Sequence, residues 1–122
     1  MNKAFVAAFA AAAFSGAMAW AHGDAKPHHG GLVQVSGETR FELVSADDGA
    51  HVYLEDDGAA MSAANVSGKL TVMSGAAKSE AKLEPAGDRL VARGVKLAKG
   101  DKVIAVVTLP DKTTASARFV VK

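Results

Sequence analysis

Imidazole is the commonest protein ligand for zinc, copper, nickel and cobalt ions. Three of this chain's four histidines, His22, His28 and His29, fall within eight positions of one another. Gly23, Gly30 and Gly31 lie among them and let the backbone fold back, so the rings could converge on one ion. Asp24 could add an oxygen ligand. The cluster therefore points to a transition metal ion, copper or zinc. If His22 becomes a free N-terminus, its α-amine and ring Nδ1 could chelate one ion, a geometry suited to Cu(II). The plainer reading of the same residues is a solvated polar leader. Neighbours such as His28 and His29 point opposite ways in an extended chain.

Other candidate ligands are scattered. His51 begins an alternating run and should face solvent or the second face of its sheet. Met61 and Met73 carry soft thioethers suited to Cu(I), with Met73 better read as packing. Asp57, in Asp56-Asp57-Gly58, and the pair Asp47-Asp48 could lend oxygen to a cation, although acids beside glycine first of all make turns. No spacing suggests an EF-hand loop, a phosphate-cradling loop, a nucleophile elbow or a Ser-His-Asp triad. An enzyme is not expected.

What must position these residues begins after the N-terminal segment. Met1-Asn2-Lys3 is a short basic start, Ala4 to Phe14 carries no polar side chain, and Ala17-Met18-Ala19-Trp20-Ala21 supplies small residues. This is the order of a cleavable signal peptide, residues 1–21, too short in its apolar run to span a bilayer comfortably. Cleavage after Ala21 is preferred to cleavage after Ala19, because Trp20 is bulky. The expected location is the periplasm, with no stable membrane insertion after cleavage. Losing Lys3 balances acids and bases, which leaves no basic face for nucleic acid or anionic lipid. The absence of cysteine excludes disulfides, thiolate metal sites and thiol catalysis.

About 100 residues remain, enough for one domain with a modest core. Residues 22–31 have no apolar periodicity and read as a flexible His- and Gly-rich arm until something orders it. Residues 32–122 read as strands. Alternation marks Arg40 to Leu43, with Phe41 and Leu43 on one face, and His51 to Glu55, with Val52 and Leu54 inward. Further runs are Leu32 to Val35, Lys69 to Val72, Ser79 to Leu83, Arg89 to Ala92 and Ala117 to Val121. Val103 to Leu109 is nearly continuous in β-branched residues and predicts a central strand buried on both sides. Gly58 to Ala64 reads as a loop or helical turn, not a strand. Lys96, Lys99 and Lys102 read as solubilising charges that guard strand ends. Turn residues separate the runs at regular spacing. The expected fold is all-β, an antiparallel β-sandwich of Ig-like or Greek-key type with about seven or eight short strands. An up-and-down barrel is the alternative.

His22-Gly23-Asp24, Pro27-His28-His29-Gly30-Gly31, Phe41-Glu42-Leu43-Val44 and Val52-Tyr53-Leu54 with its Asp-rich glycine turn resemble small periplasmic proteins of proteobacteria. Those are similar in turn to the N-terminal metal-binding β-domain of heavy-metal efflux membrane-fusion subunits. The resemblance covers most of the chain after residue 21, on short motifs. It implies that His28 and His29, and less directly His22, are ligands, and that an efflux membrane-fusion subunit is a partner. In the family the turn after the Tyr-containing strand often reads acid-His-Gly; here it reads Asp56-Asp57-Gly58, so either Asp57 substitutes with oxygen or that ligand is missing. Copper-resistance sandwiches that begin with histidine are a looser, fold-level analogy. The sequence thus favours metal buffering, resistance or hand-off to an efflux system. A β-sandwich interaction module of the cell envelope, with incidental histidines, is the alternative.

Overall fold

The computed structural model of the protein describes residues 26–122. The expected signal peptide, His22 and Asp24 lie outside the described residues. Within them the chain forms nine strands: β1 (Leu32–Ser36), β2 (Thr39–Ala46), β3 (Gly49–Asp56), β4 (Ala59–Ala60), β5 (Ser67–Ser74), β6 (Ala77–Ala86), β7 (Arg89–Arg93), β8 (Lys102–Thr108) and β9 (Thr114–Val120). All pairings are antiparallel. Among the described residues no helix is long and apolar enough to cross a membrane.

The strand order is β1-β2-β3-β7-β6-β5-β8-β9, with β4 paired to β3. Strands β5 to β8 are a Greek key: β5, β6 and β7 follow one another as hairpins, and β8 returns to lie beside β5. Strand β6 turns the corner between the two halves. Its Ala77 to Leu83 pair with β5, and its Glu84 to Ala86 pair with β7. One strand that changes partners in this way wraps the two halves around a common interior. The expected all-β class holds, and the nine-stranded sheet is nearly closed into a barrel, with β1 and β9 side by side at the seam.

Period-two alternation builds the core. Phe41, Leu43, Val52, Leu54, Leu70, Leu83, Leu90, Val103, Val107 and Phe119 point inward and are buried. Each such side chain stabilises the fold by about 1.5–3 kcal/mol relative to leaving it in water.

Two expectations about the strands are corrected. Strand β8 is not buried on both faces. Val103, Ala105 and Val107 are buried, while Lys102 and Val106 are exposed, because the outer face of this half carries no covering layer. Within Gly58 to Ala64, Ala59 and Ala60 pair with Glu55 and Asp56 as β4. The two residues that reverse the chain, Asp57 (φ 52°) and Gly58 (φ 86°), both have positive φ, as a tight two-residue hairpin of the I′ kind requires.

Candidate metal centre: the histidine arm on the outer face of β2 and β3

The turn at Ala46 to Gly49 fixes the β2–β3 register, which sets Glu42 opposite Tyr53 and Arg40 opposite Glu55. These four share the face turned away from the core, since Phe41, Leu43, Val52 and Leu54 fill the other one. Polar residues on such a face normally stay wet. Here Arg40 is 8% exposed and Glu42 is 0% exposed, because the chain before β1 folds back over them.

The fold-back is built around one carboxylate. Glu42 accepts backbone N–H bonds from His28 (3.0 Å), His29 (2.8 Å) and Gly31 (2.8 Å). The ring Nδ1 of His29 lies 3.0 Å from Glu42 Oε1. Burial alone pushes the Glu42 carboxyl up, but the Gly31 N–H, the His29 ring and the His29 and His28 N–H groups outweigh it, so its pKa falls below the ordinary glutamate value. The two glycines make this cradle feasible. Gly30 has φ +75°. A Cβ on Gly31 would lie 2.2 Å from the carbonyl oxygen of Leu43.

His28 is held by the neighbouring acid, with Nδ1 2.8 Å from Glu55 Oε2. Arg40 ties the layer together. Its Nη1 lies 3.3 Å from Glu55 Oε2 and 3.9 Å from Glu42 Oε1, and its Nη2 donates to the carbonyl of Lys26. The ring of His29 stacks on Tyr53, with centroids 3.6 Å apart and planes 6° from parallel. Residues Lys26 to Gly31 are thus hydrogen-bonded to the sheet, so what orders this part of the expected flexible arm is the protein's own Arg40, Glu42 and Glu55.

The geometry also sets the tautomers. An ionised carboxylate only accepts hydrogen bonds, so a proton sits on Nδ1 of His28 and of His29. For His29 this leaves Nε2 as the lone-pair nitrogen whenever the ring is neutral. A histidine whose Nδ1–H is held by a carboxylate is the usual arrangement of a metal ligand. The side chains of His28 and His29 are 44% and 38% exposed, so they are open to an incoming ion. Two carboxylates and one guanidinium underlie them, which leaves net negative charge beneath the rings.

The remaining candidates sit elsewhere. His51 occupies the other end of β3 on the same outer face and is largely buried; its Nε2 lies 2.7 Å from Asp48 Oδ1. That hydrogen bond holds the Asp48 pKa below the ordinary aspartate value, against a smaller opposing effect of desolvation. Asp57 serves the β3–β4 turn and donates its N–H to the carbonyl of Glu38. Met61 is half-buried against the core and donates its N–H to the carbonyl of Leu54. Among the described residues no group of three or more His, Asp or Glu side chains converges as a metal cage. Sequence reasoning singled out His28 and His29 and missed Arg40, Glu55 and Tyr53 as their supports, and the role of Glu42. The alternation of Arg40-Phe41-Glu42 and Tyr53-Leu54-Glu55 across one tight turn sets these four on one face, but it carries no sign that the arm folds back over them.

No family model matches the chain, and no curated protein or solved structure matches it.

Proposed function

We propose that this is a periplasmic metal-binding protein that takes up copper or another divalent transition metal such as zinc, without catalysis, for buffering, resistance or hand-off to an efflux system. The observation that carries the reading is the pair of carboxylate-backed imidazoles, His28 on Glu55 and His29 on Glu42. Each carboxylate fixes a ring and raises its basicity as a ligand. The negative charge beneath the rings favours a cation. His22 and Asp24 lie close in sequence and would complete the coordination shell. With few protein ligands and no thiolate, binding would be exchangeable, which suits hand-off to a membrane-fusion subunit of an efflux pump. That partner rests on the resemblance of the sequence motifs.

Calorimetric titration of the purified protein with Cu(II) and with Zn(II) tests this. Binding in the micromolar range is expected for one of the two ions. A protein carrying His28→Ala and His29→Ala should bind at least about tenfold more weakly, a loss of about 1.4 kcal/mol. Identical isotherms for the two proteins, with both folded, would remove the site.

A further inference from the structure

The strand path ends at β1 and β9. These two strands lie side by side, yet among the described residues no ladder joins them. Each therefore keeps one edge of backbone N–H and C=O groups outside any sheet pairing. A groove of about 540 Å³ follows this seam. Its walls are Pro27 and Gly31 to Gln34 on one side and the β8–β9 face on the other. Val103 and Phe119 point into the core, so Ile104 and Val120 present apolar surface on the opposite face, next to Met73. Val120 is 56% exposed.

The rim is basic. Lys102, Arg118 and Lys122 line the groove, and no acidic residue does. None of the three forms an ion pair among the described residues. Cations beside an open strand edge repel a like-charged strand. A second copy of this chain would bring its own Lys102, Arg118 and Lys122 against these, so self-pairing through the seam is opposed. A strand of opposite charge meets no such barrier and gains from complementarity.

We propose that the β1–β9 seam is a docking groove for an extended acidic segment of a partner protein, with apolar side chains alternating with carboxylates. Its backbone hydrogen-bonds to the free edge of one of the two strands, which is β-strand addition; β1 and β9 lie too close together for it to pair with both. With period two its carboxylates share the outer face and meet Lys102, Arg118 and Lys122, while its apolar side chains turn to the opposite face, on the side of Phe119. The groove shares Pro27 and Gly31 with the histidine arm but none of the imidazoles or carboxylates of that site.

The test uses the full chain and two fluorescein-labelled nine-residue peptides, one alternating glutamate and valine, the other alternating lysine and valine, followed by fluorescence anisotropy. The acidic peptide should bind at least about tenfold more tightly than the basic one, and its binding should weaken as salt rises to about 0.5 M. Lys102→Glu with Arg118→Glu should reverse the preference; both residues are exposed, so an unchanged thermal midpoint certifies the fold. Amide resonances of Leu32 to Ser36 and Thr114 to Val120 should shift with the acidic peptide. Equal binding of the two peptides, no binding of either, or shifts confined to other strands would overturn the proposal. So would a dimer of the free protein that the double variant dissociates, because the seam would then serve self-association.

Discussion

Glu42 combines a fully buried side chain with hydrogen bonds from three backbone N–H groups and one imidazole. Replacing it with glutamine keeps the shape but removes the charge and leaves buried donors poorly matched. Glu42→Gln should lower unfolding stability by roughly 1–3 kcal/mol in urea denaturation at neutral pH. Because the folded-state pKa is lowered, the stabilisation is complete above the ordinary glutamate value of about 4.3 and is lost as pH falls through the lower, folded value. The wild-type protein should therefore lose stability below about pH 4.3 more steeply than Glu42→Gln. Parallel curves for the two proteins would show that the cradle does not hold an ionised carboxylate. At this scale the sequence was half legible. Histidines next to glycines announced themselves by composition, whereas Glu42 looked like any outward-facing strand residue, because nothing in its neighbourhood foretells that the chain will fold back over it.

The element that decides the site is the short arm ahead of β1. Its path depends on backbone pressed against backbone at Gly31, where a Cβ would also lie 2.8 Å from Val44 Cγ2. Gly31→Ala should displace the arm, cost about 1–3 kcal/mol in overpacking and lost hydrogen bonding, and erase hydrogen-exchange protection of the His28, His29 and Gly31 amides. Protection across Phe41 to Leu43 and Val52 to Leu54 should persist, since their packing lies on the inner face. Gly30→Ala has open space around its Cβ and suffers only from its positive φ, so it should cost less. Unaltered exchange of the arm amides in Gly31→Ala would contradict the docked arrangement. Alternation and turn residues made eight of the nine strands readable. The ninth, Ala59–Ala60, is too short to show a period and is created by the positive-φ pair Asp57 and Gly58. Strand β8 misled because β-branched residues fill both of its faces, and a solvent-exposed valine such as Val106 looks like a core valine in sequence.

Over the whole molecule, the all-β class followed from strand spacing, while the near-closed barrel, the corner in β6 and the seam between β1 and β9 are properties of pairing between segments far apart in the chain. Local periodicity carries no information about which strand neighbours which. The molecule uses that architecture to hold a charged layer on the outer face of β2 and β3, roofed by its own leader, and to leave a basic groove at the seam. The central claim is that the fold presets His28 and His29 as metal ligands through their Nδ1–H bonds to Glu55 and Glu42. Long-range proton–nitrogen NMR of the imidazole rings, recorded before and after adding zinc, tests it most directly. Protonated Nδ1 in both rings is expected beforehand, and metal-dependent shifts of the His28 and His29 ring nitrogens, the His29 Nε2 among them, are expected afterwards. Rings protonated on Nε2, or spectra unchanged in millimolar zinc and copper-broadened nowhere near these residues, would contradict it.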